Sequence, residues 1–168
     1  MSALLPLVFT GLVAAADAPA ATEHYWHDCA KRSNVDPEPA PRIRRFGDSK
    51  DLTDRLNELI LAGEKTITAS SPWLYDHDNE QRPVVGGYSV FVDADGAPVG
   101  VLRTTEIKTM PFAAVTANES RFEGKGVRPI ELWRNVHRAY FEARLAPLDK
   151  TWAPDMPVTL EWFEVVCE

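Results

Sequence analysis

Lys65, Thr66, Thr68 and Ser70 fall within one octet, Gly63-Glu64-Lys65-Thr66-Ile67-Thr68-Ala69-Ser70. A hydroxyl attacks well only when a neighbour takes its proton, so a lysine beside threonine and serine is a nucleophile–base arrangement. The octet stands where a helical pattern stops and a β pattern begins. Gly63 follows Leu56, Leu59, Ile60 and Leu61, the place of a C-capping glycine. Thr66-Ile67-Thr68 is β-branched throughout and reads as a strand. Alternation puts Lys65, Ile67 and Ala69 on one side and Thr66, Thr68 and Ser70 on the other. Lys65 is at the strand's mouth, where a bend can turn it inward. From the octet alone, a helix–turn–strand with a solvated lysine is the simpler reading.

The elements that would hold these residues follow from the rest of the chain. Its 168 residues suit one domain with a sizeable core. A net charge of −7 argues against a strongly basic face for double-stranded DNA. Arginines and lysines do gather locally, at Arg42, Arg44 and Arg45, at Arg121, Lys125 and Arg128, and at Arg134 and Arg138. No apolar run reaches the ~20 residues of a membrane helix.

Residues 3–16 are mostly apolar and end in Ala14-Ala15-Ala16 before Asp17, a secretory signal pattern without a basic n-region. Residues 1–21 are therefore read as a signal peptide or a disordered extension, and 22–168 as the domain. Cleavage of residues 1–16 would make the protein periplasmic or secreted; without it the location is cytoplasmic. Cys29 and Cys167 lie near the two ends of the domain. Paired, they would tie the first helix to the last strand; two buried free thiols are the alternative. There is no C-x-x-C. His24, His27, His77 and His137 do not gather with the cysteines, so no metal site is expected.

Thr22 is placed as the cap of a first helix over 23–32. Residues 34–41 hold three prolines and read as a loop, and 42–47 as a short strand or turn. Asp48 or Ser49 caps a second helix that buries Leu52, Leu56, Leu59 and Ile60. Residues 71–83 read as a polar loop long enough to cover a site, with Trp73 and Tyr75 available to stack on a base or to pin the loop. A hairpin at Asp93-Ala94-Asp95-Gly96 leads into a long strand over 99–109. A polar segment over 118–127 precedes a helix over 130–145, whose apolar face holds Ile130, Trp133, Val136 or His137, Tyr140 and Phe141. A last strand covers 158–166. The sum is α+β with a curled antiparallel sheet.

These pieces, in this order, resemble the ASCH domain, named for activating signal cointegrator homology, in its bacterial branch. The resemblance rests on Gly63-Glu64-Lys65-Thr66-Ile67-Thr68, Phe46-Gly47-Asp48-Ser49, the long strand ending Pro111-Phe112, Glu123-Gly124, Trp133-Arg134-Asn135-Val136-His137 and Phe163-Glu164-Val165-Val166. It covers about residues 22–168. It implies a PUA-like curled β-barrel of about five or six strands flanked by helices. It also implies a cleft for single-stranded RNA or a modified nucleoside, with no cofactor and no membrane partner.

Some bacterial members are ribonucleases. Small relatives are amidohydrolases that deacetylate N4-acetylcytidine with a Lys, a Thr and a Glu, which fall here on Lys65, Thr68 and Glu123. In amide hydrolysis Thr68 would attack the carbonyl, Lys65 would take its proton and Glu123 would protonate the leaving amine, best with a raised pKa. In RNA cleavage Lys65 would stabilise the phosphorane, with Glu123 or His137 as acid or base. Ser70, Trp73, Tyr75, Arg134 and His137 complete the expected set as substrate-binding residues.

Two departures bear on the chemistry. The bacterial acidic segment E-G-E-G-D reads here Glu123-Gly124-Lys125-Gly126-Val127. Ser70 stands where many members of the wider family have arginine. The expectation is a hydrolase, with ribonuclease ahead of amidohydrolase and a non-catalytic RNA-binding module as the third reading.

Overall fold

Alternation along the last strand sets the layers. β5 (Pro157–Cys167) lies between β4 (Pro98–Pro111) and β2 (Ile67–Ser70), antiparallel to both. Val158, Leu160 and Trp162 face one side and enter the largest core cluster. Thr159, Glu161 and Phe163 face the other, where Phe163 packs with Phe46, Ile60, Phe91 and Leu102. The strand is buried through both faces, and a lone carboxylate, Glu161, is buried with it.

The computed structural model describes residues 18–168. The signal-peptide reading of residues 1–16 lies outside them. β1 (Arg42–Arg45) pairs in parallel with β3 (Tyr88–Val92), and β3 pairs antiparallel with β4. The strand order is β1-β3-β4-β5-β2, so β1 and β2 are the two edges. Five strands curl into a half-barrel with flanking helices, the α+β, PUA-like architecture expected. Irregular pairing between Thr104 and Glu106 marks a bulge, a device that bends a long strand.

The helices occupy both faces. α1 (Ala18–Ser33) lays Trp26, Cys29 and Ala30 on Val90, Val101 and Cys167. Cys29 and Cys167 form a disulfide with Cα atoms 5.9 Å apart, so the bridge does join the first helix to the last strand. α5 (Ile130–Leu145) buries Trp133, Phe141 and Leu145, each adding about 1.5–3 kcal/mol of apolar burial. α2 (Lys50–Leu61) begins at Ser49, whose hydroxyl accepts from the Leu52 amide.

Three expectations need correction. α1 begins at Ala18, with Pro19 in the first turn, where its missing N–H is no loss. Thr22 is then a buried residue inside the helix and not its cap. On α2 the buried stripe is Thr53, Asn57 and Ile60, whereas Leu52 is exposed and Leu56 and Leu59 are half-buried. The helix is rotated because its leucines face a cleft. Finally, the loop placed over 71–83 contains α3 (Pro72–Asp78), capped by Ser71 and ended by left-handed Asn79. Ser-Pro at the start and Asn at the end are the usual punctuation of a helix. The segment after the long strand is also ordered: α4 (Ala117–Ser120) carries a Thr116/Glu119 capping box, and a single turn follows at Lys125–Val127.

Candidate active site

Between the two unpaired edges β1 and β2 lies a cleft of about 900 Å³, walled by α2, α3 and α5. That volume suits a nucleotide-sized ligand. Lys65, Thr68, Ser70, Tyr75, Glu123 and His137 all line it. Trp73 and Arg134 do not. Trp73 packs on the core behind β2, with the Lys150 ammonium over its ring. Arg134 bonds Glu131 and the Val115 carbonyl, holding the start of α5 to the preceding chain.

The position of Lys65 follows from the turn before it. Gly63 takes φ +67°, and the amides of Glu64 and Lys65 both donate to the Leu59 carbonyl, at 2.9 and 3.0 Å. This closes α2 and aims the chain at the sheet. Thr66 then donates to the Phe122 carbonyl at 2.9 Å and accepts from the Phe163 amide at 3.0 Å. The strand entry is thus clamped between β5 and the loop that carries Glu123. Alternation puts Ile67 in the core and Thr68 on the cleft side. Lys65 precedes the strand, and its side chain curls inward. Nζ donates to the Ile67 carbonyl at 2.7 Å and to Glu123 Oε2. The bend at the strand's mouth, and not the alternation, decides where the lysine points.

Glu123 comes from a different part of the chain and meets three groups. Lys65 Nζ holds Oε2; Trp133 Nε1 and His137 Nε2 approach Oε1 at 3.4 and 3.5 Å. Arg128 joins the two loops, donating from Nε to the Glu123 carbonyl at 2.7 Å and from Nη2 to the Glu64 carbonyl at 2.8 Å. His137 Nδ1 lies 2.9 Å from the Trp133 carbonyl, which can only accept, so Nδ1 carries a proton. The ring stacks on Trp133 at 4.1 Å. Nε2 is left facing the carboxylate.

Glu123 and Lys65 have side chains only 3% and 6% exposed, so each charge needs the other. Burial pushes the Glu123 carboxyl up, but the Lys65 ammonium and the His137 ring outweigh it and hold the pKa down to about 2. A raised value would have suited a general acid. Glu123 at rest is instead a carboxylate among three nitrogen neighbours, Lys65 Nζ, Trp133 Nε1 and His137 Nε2. The four residues can hold an anion-stabilising ammonium, a proton acceptor, a ring nitrogen and a hydroxyl along one wall. Among the described residues no group of three or more His, Cys, Asp or Glu side chains could hold a metal ion, and no helix is long and apolar enough to cross a membrane.

A second charged group lies on the same face. Glu161, 1% exposed, is opposite Thr68 in the β2–β5 ladder. Its Oε2 accepts from Arg44 Nη1 at 2.8 Å and its Oε1 from the Thr104 hydroxyl at 2.7 Å; Arg42 Nη1 stands 3.6 Å from Oε1. Burial raises the Glu161 pKa, and Arg44, Thr104 and Arg42 together bring it below the ordinary carboxylate value. Sequence reasoning missed this group. Its signals were present: a single glutamate in the apolar run Val158-Thr159-Leu160-Glu161-Trp162-Phe163, and two arginines at i, i+2 on a short strand.

Lys125, the residue that departs from the family's acidic segment, is not in the cleft. It forms a surface ion pair with Glu64 at 2.8 Å. Val127 does line the cleft, so one lost carboxylate leaves that wall less charged.

No curated protein matches the chain. A crystal structure of protein EF3133 from Enterococcus faecalis V583 superposes with a TM-score of 0.80 at 31% identity, covering 89% of this chain and 90% of that one. The crystal structure of an ASCH domain from Lactobacillus crispatus JV V101 superposes with a TM-score of 0.75 at 25% identity, covering 96% and 100%. The family model described as the ASCH domain matches residues 42–167. That span runs from β1 to the end of β5 and includes every residue of the cleft wall described above; the chain belongs to the ASCH domain family.

Proposed function

We propose that the chain is an RNA-directed hydrolase that takes single-stranded RNA into the cleft and cleaves it at Lys65, Glu123 and His137. One observation carries this reading. A buried ammonium, a carboxylate and an imidazole, contributed by the entry to β2, the loop after α4 and α5, converge on one wall of a nucleotide-sized cleft. In cleavage the ribose 2′-oxygen bonds to phosphorus and the P–O5′ bond breaks. Glu123 accepts the 2′-hydroxyl proton, His137 Nε2 delivers one to the leaving 5′-oxygen, and the Lys65 ammonium stabilises the charge that gathers on the phosphorane. Family resemblance at Lys65, Thr68 and Glu123 supports the same wall.

Thr68 favours a second reading. Its place on the cleft side of β2 suits attack on an amide carbonyl, as in deacetylation of N4-acetylcytidine. Full-chain protein, Lys65→Ala and Thr68→Val are offered single-stranded RNA and N4-acetylcytidine in parallel, with a urea transition confirming that each variant folds. The RNA reading expects cleavage that Lys65→Ala lowers by about 100-fold or more and Thr68→Val leaves within about threefold. Retained RNA cleavage in Lys65→Ala refutes it. Cytidine release lost in both variants supports the second reading. Silence on both substrates leaves the protein as a binding module.

A further inference from the structure

We infer that Arg42 forms a phosphate subsite in the cleft, so that the ligand is a nucleotide, as a monoester or a phosphodiester, and not a bare nucleoside. This rests on reading the cleft as a site for RNA or nucleosides, and it adds what part of that ligand the β1 side recognises.

The guanidinium of Arg42 is about nine-tenths buried, with 10% side-chain exposure, and lines the cleft from an edge strand. It makes no hydrogen bond; its Nη1 is fully buried, with Glu161 Oε1 as an ion-pair neighbour 3.6 Å away. Arginine carries N–H donors and no acceptor, and burying the Nη1 donor without a hydrogen bond is costly. Glu161 does not meet the need. Its Oε1 is taken by Thr104 and its Oε2 by Arg44, and it approaches Arg42 no closer than 3.6 Å. Two guanidinium groups therefore face one carboxylate, and one positive charge is left over at the cleft floor.

Both arginines are already oriented. The Arg42 guanidinium lies 5.8 Å from the centre of the Tyr75 ring, and that of Arg44 lies 4.6 Å from the centre of the Phe46 ring. Arg44 is satisfied by Glu161, which leaves Arg42 as the free fork. A planar fork with unused donors matches the paired oxygens of a phosphate. Of the acids that line the cleft, Asp78 pairs with Arg144 at 2.6 Å and Asp93 accepts from the Asp95 and Ala97 amides of its own turn; Asp48, Glu80 and Asp95 line it as well. The other walls suit the rest of a nucleotide. Val136 and Tyr140 of α5 and Leu52 of α2 line the same cleft and stay 40–44% exposed, a lining for a flat, weakly polar base. Charged floor and apolar walls in one cleft fit a base joined to a phosphate.

The test is calorimetric titration of the full chain, at low salt, with uridine, uridine 5′-monophosphate, inorganic phosphate and a short oligouridylate. The expected result is at least about tenfold tighter binding of the monophosphate or the oligouridylate than of uridine, with inorganic phosphate competing against whichever binds. The monophosphate arm reports a monoester ligand and the oligouridylate arm a phosphodiester. Arg42→Gln should cut the preference to within about twofold while uridine affinity holds, and Arg42→Lys should restore part of it. If Arg42→Gln loses its cooperative urea transition, Arg42→Lys decides: a severalfold loss confined to the phosphorylated probes is then required.

Equal affinity for uridine and its monophosphate, or a preference that survives the substitution, overturns the subsite. No binding of any probe overturns both the subsite and the hydrolase reading. Lysine-dependent RNA cleavage with no phosphate preference overturns the subsite alone. A phosphate preference lost in Arg42→Gln, in a protein that cleaves no RNA, keeps the subsite and overturns the hydrolase.

Discussion

Replacing Glu123 with glutamine removes one buried charge and keeps the side-chain shape, and its effect on stability should depend on pH in a calculable way. The native carboxyl titrates at about 2 against an ordinary 4.5. A tenfold change in proton affinity is about 1.4 kcal/mol, so ionised Glu123 contributes about 3 kcal/mol at neutral pH. The folded value is depressed, so the contribution is present above the unfolded pKa and is lost as pH falls through the folded one. At pH 3 the unfolded chain is almost wholly protonated and the contribution has fallen to about 1 kcal/mol.

Glu123→Gln also strands Lys65, so a deficit of about 3–5 kcal/mol is expected at pH 7. That deficit should shrink by about 2 kcal/mol between pH 7 and pH 3. Urea unfolding of both proteins at the two pH values reads it. Glu161 and Glu119 also titrate below their ordinary values, but they are common to both proteins and cancel in the difference. A deficit that stays constant to within about 0.5 kcal/mol would show that Lys65 and His137 do not hold the carboxylate as argued.

Two further outcomes concern the frame. The Cys29–Cys167 bridge spans a sequence separation of 138, so reduction should lower stability by about 2–5 kcal/mol, read as a drop in urea midpoint with and without reductant. Gly100→Ala should cost about 1–3 kcal/mol, because its new methyl would sit 2.5 Å from Phe91 Cε1 and 2.9 Å from the Cys167 carbonyl at the β3–β4–β5 crossing. A urea midpoint unchanged by Gly100→Ala would refute the close approach of Phe91 and Cys167 to this position.

The elements were largely legible in the chain because their signals are local. Gly63, the β-branched run after it, the Asp93–Gly96 turn and the apolar period of α5 each announce themselves within a few residues. Resemblance carried the family and named Lys65, Thr68 and Glu123. The errors were local too. Polarity over residues 71–83 hides the helix start at Ser71-Pro72, and period alone does not tell whether Leu52 faces a core or a cleft.

Read alone, the chain specifies most of its elements in order and the turn that delivers Lys65, and it puts Cys29 and Cys167 near the two ends of the domain while leaving open whether they pair. Tertiary structure alone decided the company each charge keeps. Lys65 and Glu123 are 58 positions apart and Arg44 and Glu161 are 117 apart, and no periodicity reaches that far. The curl of the five-stranded sheet brings Arg44 of β1 to Glu161 of β5, and the Thr66–Phe122 bond and Arg128 dock the loop that carries Glu123 against Lys65. A buried charge then persists only where that closure supplies a partner, which is why Glu123 is met by Lys65 and Glu161 by Arg44, with Arg42 a looser neighbour at 3.6 Å.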